Sequence, residues 1–234
     1  MFHNLLIWLV FLPATILLAL LSIVAPSTCD WVHKVWGGLA LFCFGARVSA
    51  ELDALEPGKT YVFMANHQSQ LDILLLLAVL HAHSVRFVAK QELFSIPVLG
   101  WAMSRVGHVA IDRGNSLKAM KSLDRAAAKA REGISIIIFP EGTRAPEEPE
   151  DLQEFKIGGM ILALKTGLPV VPVIISGTAR VLRKKSLRVH PGPVRVRALA
   201  PIETTGRYTL KQREAFRDDL YRVMNDAYRE LHNG

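Results

Sequence analysis

The sequence predicts an α/β domain with a largely parallel central sheet flanked by helices, preceded by an N-terminal membrane-associated two-helix hairpin. Three observations carry this. Beyond residue 50, short apolar runs alternate with helical patterns, the order that a parallel sheet with crossover helices requires. The run Ile134 to Phe139 is almost purely β-branched, as in a strand covered on both faces. From Leu5 to Ala25 no residue is charged, and about 21 residues at 1.5 Å rise match a hydrocarbon core of about 30 Å.

The hairpin comes first. Pro13 lies inside the apolar stretch and kinks a helix there. Pro26, Ser27 and Thr28 supply a turn, and a second apolar run follows from Val35 to Ala46. That run is about 12 residues long, short for a span and suited to a re-entrant or interfacial helix. Trp8, Trp31 and Trp36 are rings of the kind that settle at headgroup level. A cleaved signal peptide fits poorly, because residues 1 to 4 carry no Lys or Arg and Pro26 would follow the cleavage site. A buried hairpin of a soluble protein is the plainer alternative. Arg47 is expected to end the second helix, and the basic remainder then lies on the cytoplasmic side. The chain divides into residues 1–50, the hairpin, and 51–234, the α/β domain.

In the body, Tyr61 to Met64 reads as a strand and Leu71 to Leu80 as an apolar helix. Val85 to Ala89 and His108 to Ile111 are strands. Ser116 to Glu132 is an amphipathic helix with Lys118, Lys121, Arg125 and Lys129 on its polar face, closed by Gly133. Lys156 to Thr166 is a helix ended by Gly167, Val170 to Ile175 a buried strand, and Val194 to Leu199 an edge or half-exposed strand. Leu210 to Leu231 is an amphipathic helix.

Composition narrows the partners. Half of the 234 residues are hydrophobic and the formal net charge is +7. That balance suits a phosphate-bearing substrate or an anionic bilayer face. Nucleic acid is disfavoured, since neither zinc-finger spacing nor a basic-aromatic RNA-binding signature occurs. Cys29 and Cys43 form no disulfide framework and read as small apolar side chains. No metal-ligand cluster is evident, and the His81/His83 pair reads as the solvated end of a helix.

Four blocks bear chemistry. In Asn66-His67-Gln68-Ser69-Gln70-Leu71-Asp72 a strand passes into a helix, where α/β sheets place their sites. An aspartate behind His67 can accept one imidazole N–H, fix the tautomer and leave the other nitrogen as a general base. On its own, the spacing equally fits an acidic residue in a helix's first turns. In Phe139-Pro140-Glu141-Gly142-Thr143-Arg144, a carboxylate, a permissive glycine, a hydroxyl and a guanidinium emerge together from the most buried strand. Arg144 suits bidentate phosphate binding, and Glu141 could hold a glycerol hydroxyl or the base. The plain alternative is a polar turn with a surface ion pair. Gly107 to Arg113 ends in Asp112-Arg113, an anion site or a solvated salt bridge. Leu168 to Gly177 is an apolar strand that could wall an acyl site.

These blocks, in this order, resemble the glycerolipid acyltransferase family, and most the bacterial 1-acyl-glycerol-3-phosphate acyltransferases. The similarity runs from about Tyr61 to Gly177, and the N-terminal hairpin resembles that family's membrane-binding motif. The resemblance implies His67 as catalytic base and Asp72 as its partner. It implies that Glu141, Gly142, Thr143 and Arg144, with Arg113, bind the glycerophosphate, and that Lys90 also faces phosphate. It further implies a lysophospholipid acceptor, an acyl-CoA or acyl carrier protein donor, no metal or organic cofactor, and a place on the cytoplasmic face of the inner membrane. Acylation of glycerol-3-phosphate or another lysolipid, lipid hydrolysis, and a non-catalytic lipid-binding role stand as alternatives. A serine nucleophile is disfavoured, because no Gly-x-Ser-x-Gly elbow occurs.

Overall fold

The structure is a computed structural model that describes residues 2–112, 114–145, 149–186 and 188–233. The chain opens with α1 (Phe2–Leu6), a π turn (Ile7–Phe11) and α2 (Leu12–Val24), which run on as one apolar helix. The wide turn precedes Pro13, whose ring clashes with the preceding turn of a regular helix and is relieved by the added backbone width. After a short 3-10 turn (Pro26–Thr28), α3 (Cys29–Cys43) returns along it. Trp36 Nε1 donates to Thr15 Oγ1 at 2.9 Å, and the Trp36 ring stacks on Phe11. The second helix therefore starts earlier than its apolar run. Asp30 in its first turn accepts from Arg86 at 2.8 Å, and that pairing draws the polar stretch into the helix.

Gly45, at φ +64, ends the hairpin, and Arg47 falls in a strand rather than at a helix end. That strand, β1 (Ala46–Glu51), was not predicted. It is an exposed edge strand without an apolar run, and it straddles residue 50. Then follow β2 (Val62–Ala65), α4 (Leu71–Val79), β3 (Val85–Lys90), α5 (Leu99–Val106), β4 (Val109–Ile111), α6 (Ser116–Arg131) and β5 (Ser135–Ile138). The chain finishes with α7 (Gly158–Thr166), β6 (Val170–Ser176), the short α8 (Thr178–Val181), β7 (Gly192–Ala198) and α9 (Arg213–Asn233). Asn115 caps α6 by accepting from Lys118 N, and Gly167, at φ +67, closes α7.

The seven strands lie in the order β1-β7-β6-β2-β5-β3-β4. All neighbours are parallel except β6 and β7. β7 alternates buried and accessible residues as expected, but β1 covers it, so it is not the edge.

Side-chain alternation along the central strands feeds two cores. Val62, Met64, Ile136 and Ile138 face α6, α7 and α9. Phe63, Ala65, Ile137, Phe139, Val171, Val173 and Ile175 face α4 and the hairpin. α3 crosses α4 at Gly37, where an added Cβ would lie 2.6 Å from Leu74 O and 2.7 Å from Ala78 N. Only a glycine allows that approach. The histidine pair divides: His81 is exposed, while His83 is buried, bonds Lys59 O through Nδ1 at 3.0 Å and packs edge-on against Tyr61 and Phe63.

Candidate active site

Three parallel strands, β2, β5 and β3, end along one edge of the sheet, and the residues that follow them make the site. Asn66 fixes the exit from β2. Its Nδ2 donates to Ile175 O at 2.9 Å and its Oδ1 accepts from Ile175 N at 2.7 Å. The amide thus continues the ladder to β6 by one step and leaves His67 at the start of the turn. The His67 ring stacks on Phe139 at 4.0 Å, which places it on the hairpin face of the sheet.

His67 Nδ1 lies 2.7 Å from Asp72 Oδ2. The same oxygen accepts from the backbone N–H groups of Gln68, at 2.6 Å, and Ser69, at 2.8 Å. The turn preceding α4 therefore wraps around the Asp72 carboxylate, which is fully buried. With a carboxylate on Nδ1, that nitrogen carries the proton and Nε2 presents its lone pair. Nε2 has no hydrogen-bond partner among the described residues, and the side chain keeps 14% of its surface accessible. A nitrogen so presented can accept a proton.

Glu141 follows β5 and is buried beside it. Oε1 accepts from His67 N–H at 2.6 Å, and Oε2 accepts from Gln153 Nε2 at 2.7 Å. Ala145 N–H donates back to His67 O at 2.9 Å. Both oxygens of Glu141 thus act within the protein, on the backbone of His67 and on Gln153. Burial pushes the Glu141 carboxyl up to about 7, against the opposing hydrogen bonds from His67 and Gln153. Gly142, at φ +71, makes the turn that follows. Thr143 is exposed, Arg144 is half-buried, and Arg144 O accepts from Lys184 Nζ at 2.6 Å.

The remaining expected residues lie further out. Lys90 ends β3 on the same sheet edge, exposed and paired with Glu92 at 2.8 Å. Arg113 lies outside the described residues. Gln153 and Thr178 belong to none of the motifs visible in the sequence. Thr178 Oγ1 donates to Asp72 Oδ1 at 2.5 Å, and no local pattern signals that contact because 106 residues separate the two. No metal-ligand group is evident in the sequence, whereas the fold brings donor atoms of Cys29, Asp30 and His33 within 4.8 Å of one another. The Arg86 guanidinium already holds Asp30 there, and a cation at that place opposes a metal ion.

Comparisons with known proteins place the chain in a family. The acyltransferase family model matches residues 47–176. A Brassica napus chloroplast 1-acyl-sn-glycerol-3-phosphate acyltransferase is 36% identical over 174 residues, covering 74% of this chain and 49% of the relative. The Cocos nucifera enzyme of that name is 38% identical over 171 residues, covering 73% and 54%. The chain thus spans about half the length of these curated relatives. The crystal structure of the 1-acyl-sn-glycerophosphate acyltransferase from Thermotoga maritima superposes with a TM-score of 0.77 at 27% identity, covering 98% of this chain and 93% of that one. With its sheet topology and its His67–Asp72 and Glu141 blocks inside the matched segment, this chain belongs to the acyltransferase family.

Proposed function

We propose that the chain transfers a fatty acyl group from an acyl thioester, acyl-CoA or acyl carrier protein, to the sn-2 hydroxyl of 1-acyl-glycerol-3-phosphate, making phosphatidic acid. The observation that carries this reading is the His67–Asp72 pair, with Nδ1 held at 2.7 Å and Nε2 open, on the sheet face that also bears the apolar hairpin. The acceptor class comes from the names of the relatives.

In the proposed reaction, His67 Nε2 removes the proton of the sn-2 hydroxyl as its oxygen attacks the thioester carbonyl carbon. Asp72 stabilises the imidazolium that forms. The tetrahedral intermediate collapses, the C–S bond breaks, and His67 returns the proton to the leaving thiolate. Atoms balance without a covalent acyl-enzyme, a metal or an organic cofactor. Arg144 binds the phosphate from the Glu141–Ala145 loop, whose turn at Gly142 and hydroxyl at Thr143 help shape that pocket. Lys90 exchanges Glu92 for the same phosphate, and Arg113 adds a third cation. Glu141 sets the position of the base through its backbone.

The helix Phe2–Val24 is long and apolar enough to cross a bilayer. Its outward side exposes Trp8, Leu9, Leu17 and Val24. The return helix is held to the body at both ends, by Asp30–Arg86 near the tip and by β1 at its base. A hairpin pinned in this way favours lying in one leaflet with its outer side in lipid. The hairpin, up to Gly45, then forms the membrane element and the chain from β1 onward the catalytic domain, on the cytoplasmic face of the inner membrane. There the acceptor's tail stays in the bilayer while its hydroxyl reaches His67.

The test is an acceptor panel in nanodiscs. Lysophosphatidic acid, glycerol-3-phosphate, other lysophospholipids and a lyso-aminolipid are each supplied with either donor, and acylated product is measured. Phosphatidic acid as the dominant product supports the reading. Faster acylation of another acceptor overturns the substrate assignment, and release of free fatty acid without transfer points to hydrolysis.

A further inference from the structure

The Asp72 carboxylate is supported unevenly. Oδ2 receives three donors, His67 Nδ1 and the Gln68 and Ser69 N–H groups, all from the turn that carries the base. Oδ1 receives Thr178 Oγ1, at 2.5 Å, from the far end of β6. Thr178 is fully buried. The position of Thr178 is itself fixed. Gly177 turns the chain at φ +93, and a Cβ there would lie 2.4 Å from Pro193 O, so β7 dictates where the turn sits.

The torsion that orients a carboxylate is soft and roughly two-fold. Donors on one oxygen set its place, and a donor on the second oxygen sets the plane. We propose that Thr178 is a positioning residue of the acyl transfer: its hydroxyl fixes the plane of the Asp72 carboxylate so that Oδ2 stays aligned with His67 Nδ1. The apolar strand ending at Gly177 then serves the proton transfer as well as the core. This inference rests on the reading of His67 as the base.

The test compares Thr178→Val, which keeps the shape and loses the hydroxyl, with Thr178→Ser, which keeps the hydroxyl. Both are made in wild-type and His67→Ala backgrounds and assayed with lysophosphatidic acid and acyl-CoA in nanodiscs. The expected result is a fall in kcat of about tenfold or more for Thr178→Val, with both KM values within about twofold and Thr178→Ser close to wild type. Thr178→Val should have no further effect when His67 is already alanine. Should the valine variant fail to fold, Thr178→Ala against Thr178→Ser reads the same hydroxyl. Equal losses in the hydroxyl-bearing and hydroxyl-free variants, an unchanged kcat in Thr178→Val, or an undiminished effect in the His67→Ala background overturns the proposal. Wild-type rates in His67→Ala alone overturn the base assignment and this proposal with it, whereas loss there with unchanged Thr178→Val sinks only the positioning role.

Discussion

Glu141 holds the backbone of His67: its Oε1 accepts the His67 N–H at 2.6 Å, and 74 residues of chain separate the two. The contact joins the loops after β2 and β5 in a buried place where a carboxyl group resists ionisation. Its pKa rises from 4.5 to about 7.

A pH dependence of stability follows from that shift. A carboxyl whose folded pKa is raised contributes stability that is complete below about 4.5 and is lost as pH rises through about 7. At about 1.4 kcal/mol per unit, the loss is on the order of 3 kcal/mol. Glu141→Gln keeps an oxygen for the His67 N–H and removes the titration. Thermal unfolding between pH 5 and 8 should show a falling Tm for wild type and a flatter profile for the variant. Parallel profiles would refute the assignment.

The two neighbouring glycines of α3 should respond oppositely. Gly37→Ala drives a Cβ into the α4 backbone and should destabilise by about 1–3 kcal/mol. Gly38→Ala meets nothing within 4 Å and should be neutral or slightly stabilising. Tm values of both variants in detergent check the contrast.

Membrane attachment should depend on side chains the fold does not need. Leu9 and Leu17 are 66% and 67% exposed. Replacing both with Lys should leave Tm within a few degrees. It should lower vesicle binding by tenfold or more, since each apolar side chain contributes about 1.5–3 kcal/mol to burial. Unchanged co-sedimentation with vesicles would remove the hairpin from the account.

The acid partner should matter nearly as much as the base. Asp72→Asn keeps the shape but places an amide where the carboxylate supports the imidazolium. It should lower kcat by about 10²- to 10⁴-fold. Added to His67→Ala it should cost little more, because the pair acts as a unit. Steady-state kinetics of the two single variants and the double variant decide this, and additive losses would separate the residues.

Much of this protein is legible in its sequence where one segment suffices. The strands β2, β5 and β6 announce themselves because burial on both faces demands nearly continuous apolar runs. The helices α6 and α9 show amphipathic patterns, and α6 and α7 close on glycines at positive φ. β1 escaped because an exposed edge strand needs no apolar pattern, and α5 because its eight residues follow Pro97 and the left-handed Val98. The blocks holding His67, Asp72 and Glu141 are local and were visible. The contacts that orient them are not. Asn66 meets Ile175 across 109 residues, and Thr178 meets Asp72 across 106. Gln153, 12 residues past Glu141, carried no signal because it belongs to no motif, and only the fold brings its Nε2 to Glu141 Oε2.

The most direct test of the central claim is the initial rate of phosphatidic acid formation by His67→Ala against wild type, with lysophosphatidic acid and acyl-CoA or acyl carrier protein in nanodiscs. A loss of about 10²- to 10⁴-fold at unchanged Tm is the predicted result. A rate within a few fold of wild type would contradict the assignment of His67 as the base.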